Sequence, residues 1–192
     1  MHTLTVTGLP RRAMIVFASL IVGLAVVLTG AGRSSAASLG DVKFAAVGTN
    51  APGTDTNANR NAEFVRLKNA SGAALDIEGW VLHDSYQNSA GDWGNRYTFK
   101  GTSLPAGSPF RVDHDSNPAT PDHFVMPVGA DLYVYNGSGI DSTPTSNTAA
   151  LYRNFKHVYN NGGDTLYVRT SNDATSYVAR YKYSPYRVDI TQ

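Results

Sequence analysis

The sequence predicts an all-β chain built as an antiparallel sandwich or barrel, and three observations carry that expectation. Apolar and polar residues alternate in several short runs. Turn-forming residues separate these runs at spacings of about ten residues, as in sandwiches. Beyond residue 37, no window sustains a capped 3.6-residue period.

Residues 1–37 stand apart from that pattern. Arg11 and Arg12 precede an uncharged apolar run at 13–30, and small residues follow in AGRSSAAS, with Ala36 or Ala37 as the last residue before cleavage. Positive, then apolar, then small is the order of a secretory signal peptide. An uncleaved anchor is the alternative, because the apolar run approaches the length of a bilayer span; the small-residue site favours cleavage. The protein is therefore expected to be secreted and extracellular, by a Sec or twin-arginine route, with no stable membrane span afterwards. Cleavage removes three arginines and no acid, which turns the formal charge of +1 into −2. Without a basic excess, no nucleic-acid partner is expected. The absence of cysteine excludes disulfides, thiolate catalysis and cysteine zinc sites, so the domain must rest on its core alone.

The first strand is expected in DVKFAAV at 41–47, followed by a polar loop rich in Asn, Thr, Gly and Pro at 48–61. AEFVRLKNAS then alternates, with Glu63, Val65 and Leu67 on one face and Phe64, Arg66 and Lys68 on the other. ALDIEGWVLHD at 74–84 repeats the theme, and Gly79 permits a bend before the large ring of Trp80. RYTF at 96–99 and PFRVDHD at 109–115 flank a turn in LPAG. DLYVYN at 131–136 reads as a strand, whereas the polar, breaker-rich stretch at 137–149 is expected to be an irregular, mobile insertion. DTLYVRT and TSYVARYKYS close the domain, joined through SNDA at 171–174. NNGGD, which ends on the first residue of DTLYVRT, reads as a chain reversal, since Asn and Gly enter left-handed turns at least cost and Asp164 can bond its own backbone two residues on. A phosphate cradle is disfavoured, because no helix start and no lysine accompany it.

Taken in order, EFVRLKN, LDIEGWVLHD, YTF with LPAG, FRV, VYNNGGDTLYVR and YVARYKY resemble the lamin tail domain family, in the form found in exported bacterial proteins. The resemblance covers about residues 38–185. It implies an immunoglobulin-like antiparallel β-sandwich over 38–192, preceded by the signal peptide, with an insertion around 116–154. It also implies a non-catalytic interaction module, with Glu63, Asn69, Gly79, Trp80, Asn161, Gly163 and Asp164 as structural signature residues and no active site to transfer. No coiled-coil heptads flank the domain, so a filament-forming lamin is excluded.

The candidate chemistry is sparse. Asp113, Asp115 and Asn117 alternate as the start of a calcium loop does, but Pro118 and Phe124 stand where an EF-hand needs Gly and Glu. No cofactor is expected, and calcium at these three residues is the one metal the pattern admits. Asp113, His114, Asp115, Asp122 and His123 together suggest an alternative reading, a small metal-dependent hydrolase. His83, His114, His123 and His157 have no zinc-motif spacing, and no serine sits in a nucleophile elbow. Tyr177, Tyr181 and Tyr183 share one parity of the last strand, with Val178, Arg180 and Lys182 on the other. Exposed, they would form a carbohydrate-binding face; buried, they would fill the core, which is the commoner use of strand aromatics. The leading expectation is a secreted module that binds an extracellular protein or a cell-wall polymer.

Overall fold

The computed structural model describes residues 37–49, 54, 56–87, 89–90, 93–112, 122–155, 158–159 and 162–184, with the backbone of 187–191. Residues 1–36 of the expected signal peptide lie outside that set, as do Asp113, His114, Asp115, Asn117, His157 and Asn161.

The described residues form thirteen strands: β1 Val42–Gly48, β2 Phe64–Asn69, β3 Leu75–Asp76, β4 Val81–His83, β5 Tyr97–Thr98, β6 Arg111–Val112, β7 His123–Met126, β8 Asp131–Tyr135, β9 Ser142–Thr145, β10 Thr148–Tyr152, β11 Asp164–Arg169, β12 Ala179–Ser184 and β13 Arg187–Thr191. Helix is confined, among the described residues, to single 3-10 turns at Arg60–Ala62 and Gly101–Ser103. One five-stranded sheet runs β1-β2-β8-β10-β9 and a second runs β13-β12-β11-β4-β5, with a small β3-β7-β6 sheet beside them. The two large sheets form an immunoglobulin-like sandwich, and the ring of Phe44 from one meets Tyr181 from the other at 5.8 Å.

Alternation decides what goes inside. In β2, Val65 and Leu67 are buried while Phe64, Arg66 and Lys68 face outward, as period two requires. β8 does the same with Leu132 and Val134 inside and Tyr133 and Tyr135 outside. From the second sheet, Leu82, Leu166 and Val168 complete the core. Phe99, Phe110 and Phe124, all fully buried, meet edge to face at 6.0 and 6.3 Å beside the small sheet. Each such ring contributes about 1.5–3 kcal/mol through burial alone.

Two expectations need correction. Residues 74–84 are not one bent strand: β3 joins the small sheet and β4 joins the second large sheet. The switch occurs in a tight turn, where the Trp80 amide donates to the Ile77 carbonyl at 3.0 Å and Gly79 takes φ +75°, a value glycine adopts without a Cβ clash. Nor is the polar stretch at 137–149 irregular throughout, because it supplies β9 and the start of β10. Its ladder is unexpected too, since β10 pairs with β8 in parallel, Tyr152 opposite Tyr135, while β9 lies antiparallel on its far side. The apolar Ala149, Ala150 and Leu151 are buried and anchor β10, and the polar β9 is held at the sheet edge by its backbone pairing with β10.

Candidate binding surface

The signature positions work as ties within the scaffold. Glu63 is fully buried, and its Oε2 accepts from Asn136 Nδ2 and the Val158 amide, both at 2.9 Å, and from the Tyr159 amide at 3.4 Å. Asn69 donates through Nδ2 to the carbonyls of Ala73, Met126 and Pro127 and accepts through Oδ1 from Ser71. Trp80 is buried in the core after the Gly79 turn. Gly163 has φ +115°, and a Cβ there would stand 2.8 Å from the Tyr183 carbonyl oxygen. Asp164 Oδ1 accepts from Ser85 Oγ and from the Thr165 amide, both at 2.6 Å. Asp164 thus bonds the next residue and a distant loop rather than the backbone two residues on.

A buried polar pair that the strand patterns do not mark lies on the outer face of the second large sheet. His83 Nδ1 donates to the Asp84 carbonyl at 2.6 Å, and Nε2 accepts from Arg169 Nε at 2.9 Å. A carbonyl can only accept and a guanidinium can only donate, so the partners fix this neutral tautomer. Burial, with the Arg169 charge beside it, lowers the imidazole pKa to about 4. Arg169, also buried, donates to the carbonyls of Ala174 and Thr175, and no carboxylate among the described residues pairs with it. Its charge rests instead over the rings of Trp93 and Tyr167, at 5.1 and 5.3 Å.

Two concavities open nearby. A groove of about 640 Å³ is lined by Leu39, Trp80, Tyr177 and Val178, and a polar cleft of about 340 Å³ by Asp84, Asn95, Gly163 and Asp164. In the cleft, burial raises the Asp84 pKa, although Asn95 Nδ2 donates to its carboxylate at 2.7 Å and the Tyr86 amide at 3.0 Å.

The proposed calcium ligands lie outside the described residues, whereas the other end of that loop is described. His123 Nδ1 sits 2.5 Å from Asp76, and Asp122 accepts from Arg111 at 2.8 Å, so the two point to different partners. Among the described residues, no group of three or more His, Asp or Glu side chains could hold a metal ion.

The tyrosine face of the last strand is resolved in favour of packing. Tyr183 is buried, Tyr181 packs against the core opposite Leu166, and Arg180 and Lys182 take the outer face of β12. Tyr177 does not share their face, contrary to the expected parity: it precedes the strand and lies tilted against Tyr167 at 5.6 Å on the outer side, with Arg180 over its ring, while Val178 is the residue buried in the core. A second set of part-exposed rings lies on the outer face of the other large sheet. Phe64, Tyr133, Tyr135 and Tyr152 share the outer face of β2, β8 and β10. The parity of Phe64 was legible within its strand, but the row was not, because it exists only once β2, β8 and β10 are neighbours.

The family model for the Lamin Tail Domain matches residues 35–185. No curated protein matches the chain.

Proposed function

Because the chain belongs to the lamin tail domain family, we propose that it is a secreted, non-catalytic binding module for an extracellular or cell-surface polymer or another protein. The family consists of immunoglobulin-like interaction domains, and the sandwich is of that kind. The observation that supports the reading is how the reactive side chains are used. The buried Glu63, Asn69 and His83 each end on backbone or side chains of their own scaffold. A catalytic base needs a lone pair directed at a substrate, and a buried group bonded on all sides has none to offer. The signal-like order of residues 1–37 supports export.

Purified protein should be retained on insoluble cell-envelope polymers or on an extracellular protein, with no turnover of phosphodiester, glycoside or ester substrates. Cleavage that disappears on substitution of Asp113 or His114 would overturn the assignment in favour of a metal-dependent hydrolase. A thermal scan with EDTA, calcium or zinc separates the two as well, since a native-state metal site raises the midpoint by mass action.

A further inference from the structure

The polar cleft of about 340 Å³ between the loop after β4 and the start of β11 is lined by hydrogen-bond acceptors, negative charge and one well-exposed ring. Resting on the binding-module reading, and on its protein partner in particular, we infer that this cleft takes the ammonium end of a lysine side chain presented by a partner protein. Asp164, Asp84 and Asn95 accept from the ammonium, and the ring of Tyr86 covers the methylene stem.

The acceptors are what remains after the loop has made its own bonds. Asp164 commits Oδ1 to the Ser85 hydroxyl and the Thr165 amide, both at 2.6 Å, while Oδ2 meets no donor among the described residues. Asp84 receives the Tyr86 amide on Oδ1 and Asn95 Nδ2 on Oδ2, one donor for each oxygen, although a carboxylate has about four acceptor sites. Asn95 uses its amide nitrogen in that bond, and its Oδ1 meets no donor among the described residues. Three acceptor groups therefore line one small space, and an ammonium carries three N–H donors and no acceptor. A guanidinium fits less well, because it seeks two free oxygens on one carboxylate, and both oxygens of Asp84 and one of Asp164 already hold donors.

The state of Asp84 calls for a cation independently. Its residue is only 2% exposed, yet it forms no ion pair with a cation among the described residues. Arg153, whose charge acts on it, donates instead to Asn136 Oδ1 at 3.2 Å and to the Asn95 carbonyl at 2.5 Å. A buried carboxylate is ordinarily paired, because desolvation disfavours its charge. Burial raises the Asp84 pKa, and the charge of Asp164 raises it further, so a cation placed between the two acids relieves both penalties. Tyr86 supplies the apolar part. A Cβ at Gly94 would run into its ring, so one side rests on bare backbone, and no ring or cation among the described residues packs on the other. At 58% exposure, that other side is open to water. A ring beside carboxylates gives an ammonium attraction to the ring as well as ion pairing. The volume lies at the small end of ligand sites, with room for one side chain rather than a run of sugars.

The test is a titration of the isotope-labelled protein with end-blocked tetralysine, read by backbone amide shifts. Its Nε-acetylated form is the uncharged match, tetra-arginine the guanidinium match and a chitosan tetramer the amino-sugar match. Tetralysine should move the amides of Ser85, Tyr86, Asn95 and Asp164 and bind at least tenfold more tightly than any of the three. Asp164→Asn keeps the acceptor for Ser85 and Thr165 and removes the free anionic oxygen, so it should lose at least tenfold in affinity at an unchanged thermal midpoint. Tyr86→Ala, at an exposed side chain, should lose about threefold while Tyr86→Phe retains the affinity. Equal binding of any match, shifts confined to residues outside the cleft, or parent affinity in both Asp164→Asn and Tyr86→Ala would overturn the inference. If the protein is retained on an extracellular protein or envelope polymer yet tetralysine leaves the cleft amides unmoved, the lysine assignment falls and the binding module stands. If it is retained on neither and the amides stay unmoved, both fall.

Discussion

The two outer faces of the sandwich use the same residue types to opposite ends. On the β4-β11 face, Trp93, Tyr167 and His83 close over the Arg169 guanidinium, so aromatic surface and cation satisfy each other inside the protein. On the β2-β8-β10 face the rings are part-exposed as Trp93 and Tyr167 are, but the cation is not enclosed: Arg66 is itself part-exposed and paired with Asp131. Burial rather than composition separates a structural plug from a surface available to a partner. A buried cation without a counter-ion is tied to its acceptors, whereas a part-exposed ion pair shares its charges with water.

The sharpest way to break this contrast is to remove the buried cation. Arg169→Ala leaves His83 Nε2 and the carbonyls of Ala174 and Thr175 without their donor, and the cost should be on the order of 3 kcal/mol, read as a lower urea midpoint at unchanged slope. A shift no larger than that of a surface substitution would show that the closed face is not closed.

Acid should attack the same face by a similar amount. The folded pKa of His83 is depressed to about 4 from an ordinary 6.5. The unfolded chain therefore binds the additional proton between those values, and stability falls as pH drops from about 6.5 toward 4. The full effect of such a shift is on the order of 3 kcal/mol. Asp84, whose pKa burial raises, works the other way in the acid range, because its folded form holds a proton more readily than the unfolded chain does. Urea titrations at several pH values on wild type and His83→Gln decide the matter, and the variant should lose most of the slope between pH 6 and 5.

The open face should respond much less. Arg66→Ala breaks a part-exposed ion pair and should cost no more than about 1 kcal/mol. A loss near that of Arg169→Ala would erase the distinction between the faces. Lys43→Gln should be smaller still, neutral or stabilising by a few tenths of a kcal/mol, because it removes a like charge opposite Lys68. Matched thermal midpoints at low and high salt would show it, the gain fading as salt screens the pair.

These differences also mark what could be read from the residues alone. The strands of the closing hairpin and of β2 were legible because alternation is a local property, and the inward set Val65 and Leu67 follows from it directly. The division of 74–84 between two sheets was not, since β3 and β4 look continuous until their partners are known. The parallel ladder between β8 and β10 escaped for the same reason. At the level of sites, the family resemblance singles out Glu63, Asn69 and Asp164, but their distant partners, the Val158 amide, the Met126 carbonyl and Ser85, are fixed only by the fold. His83 with Arg169 was not legible, because 86 positions separate the two and only β4 pairing with β11 brings them together. Tyr181 and Tyr183 were correctly placed on one parity, yet parity alone does not say which face is buried.

The parallel insertion of β10 has a consequence for the order in which the molecule assembles. The chain leaves β8, travels outward to β9 and returns between them, so β9 and β10 must arrive at the exposed flank of β8 as one hairpin. Until they dock, β8 has a bare edge and Tyr152 is absent from the ring row. Pairings that require such an excursion close late, after the loop entropy has been met. Pulse-labelling hydrogen exchange during refolding should accordingly find the amides of Thr148–Tyr152 protected after those of β2, and a half-folded chain would have stable strands on both sheets while lacking one of its four neighbouring rings.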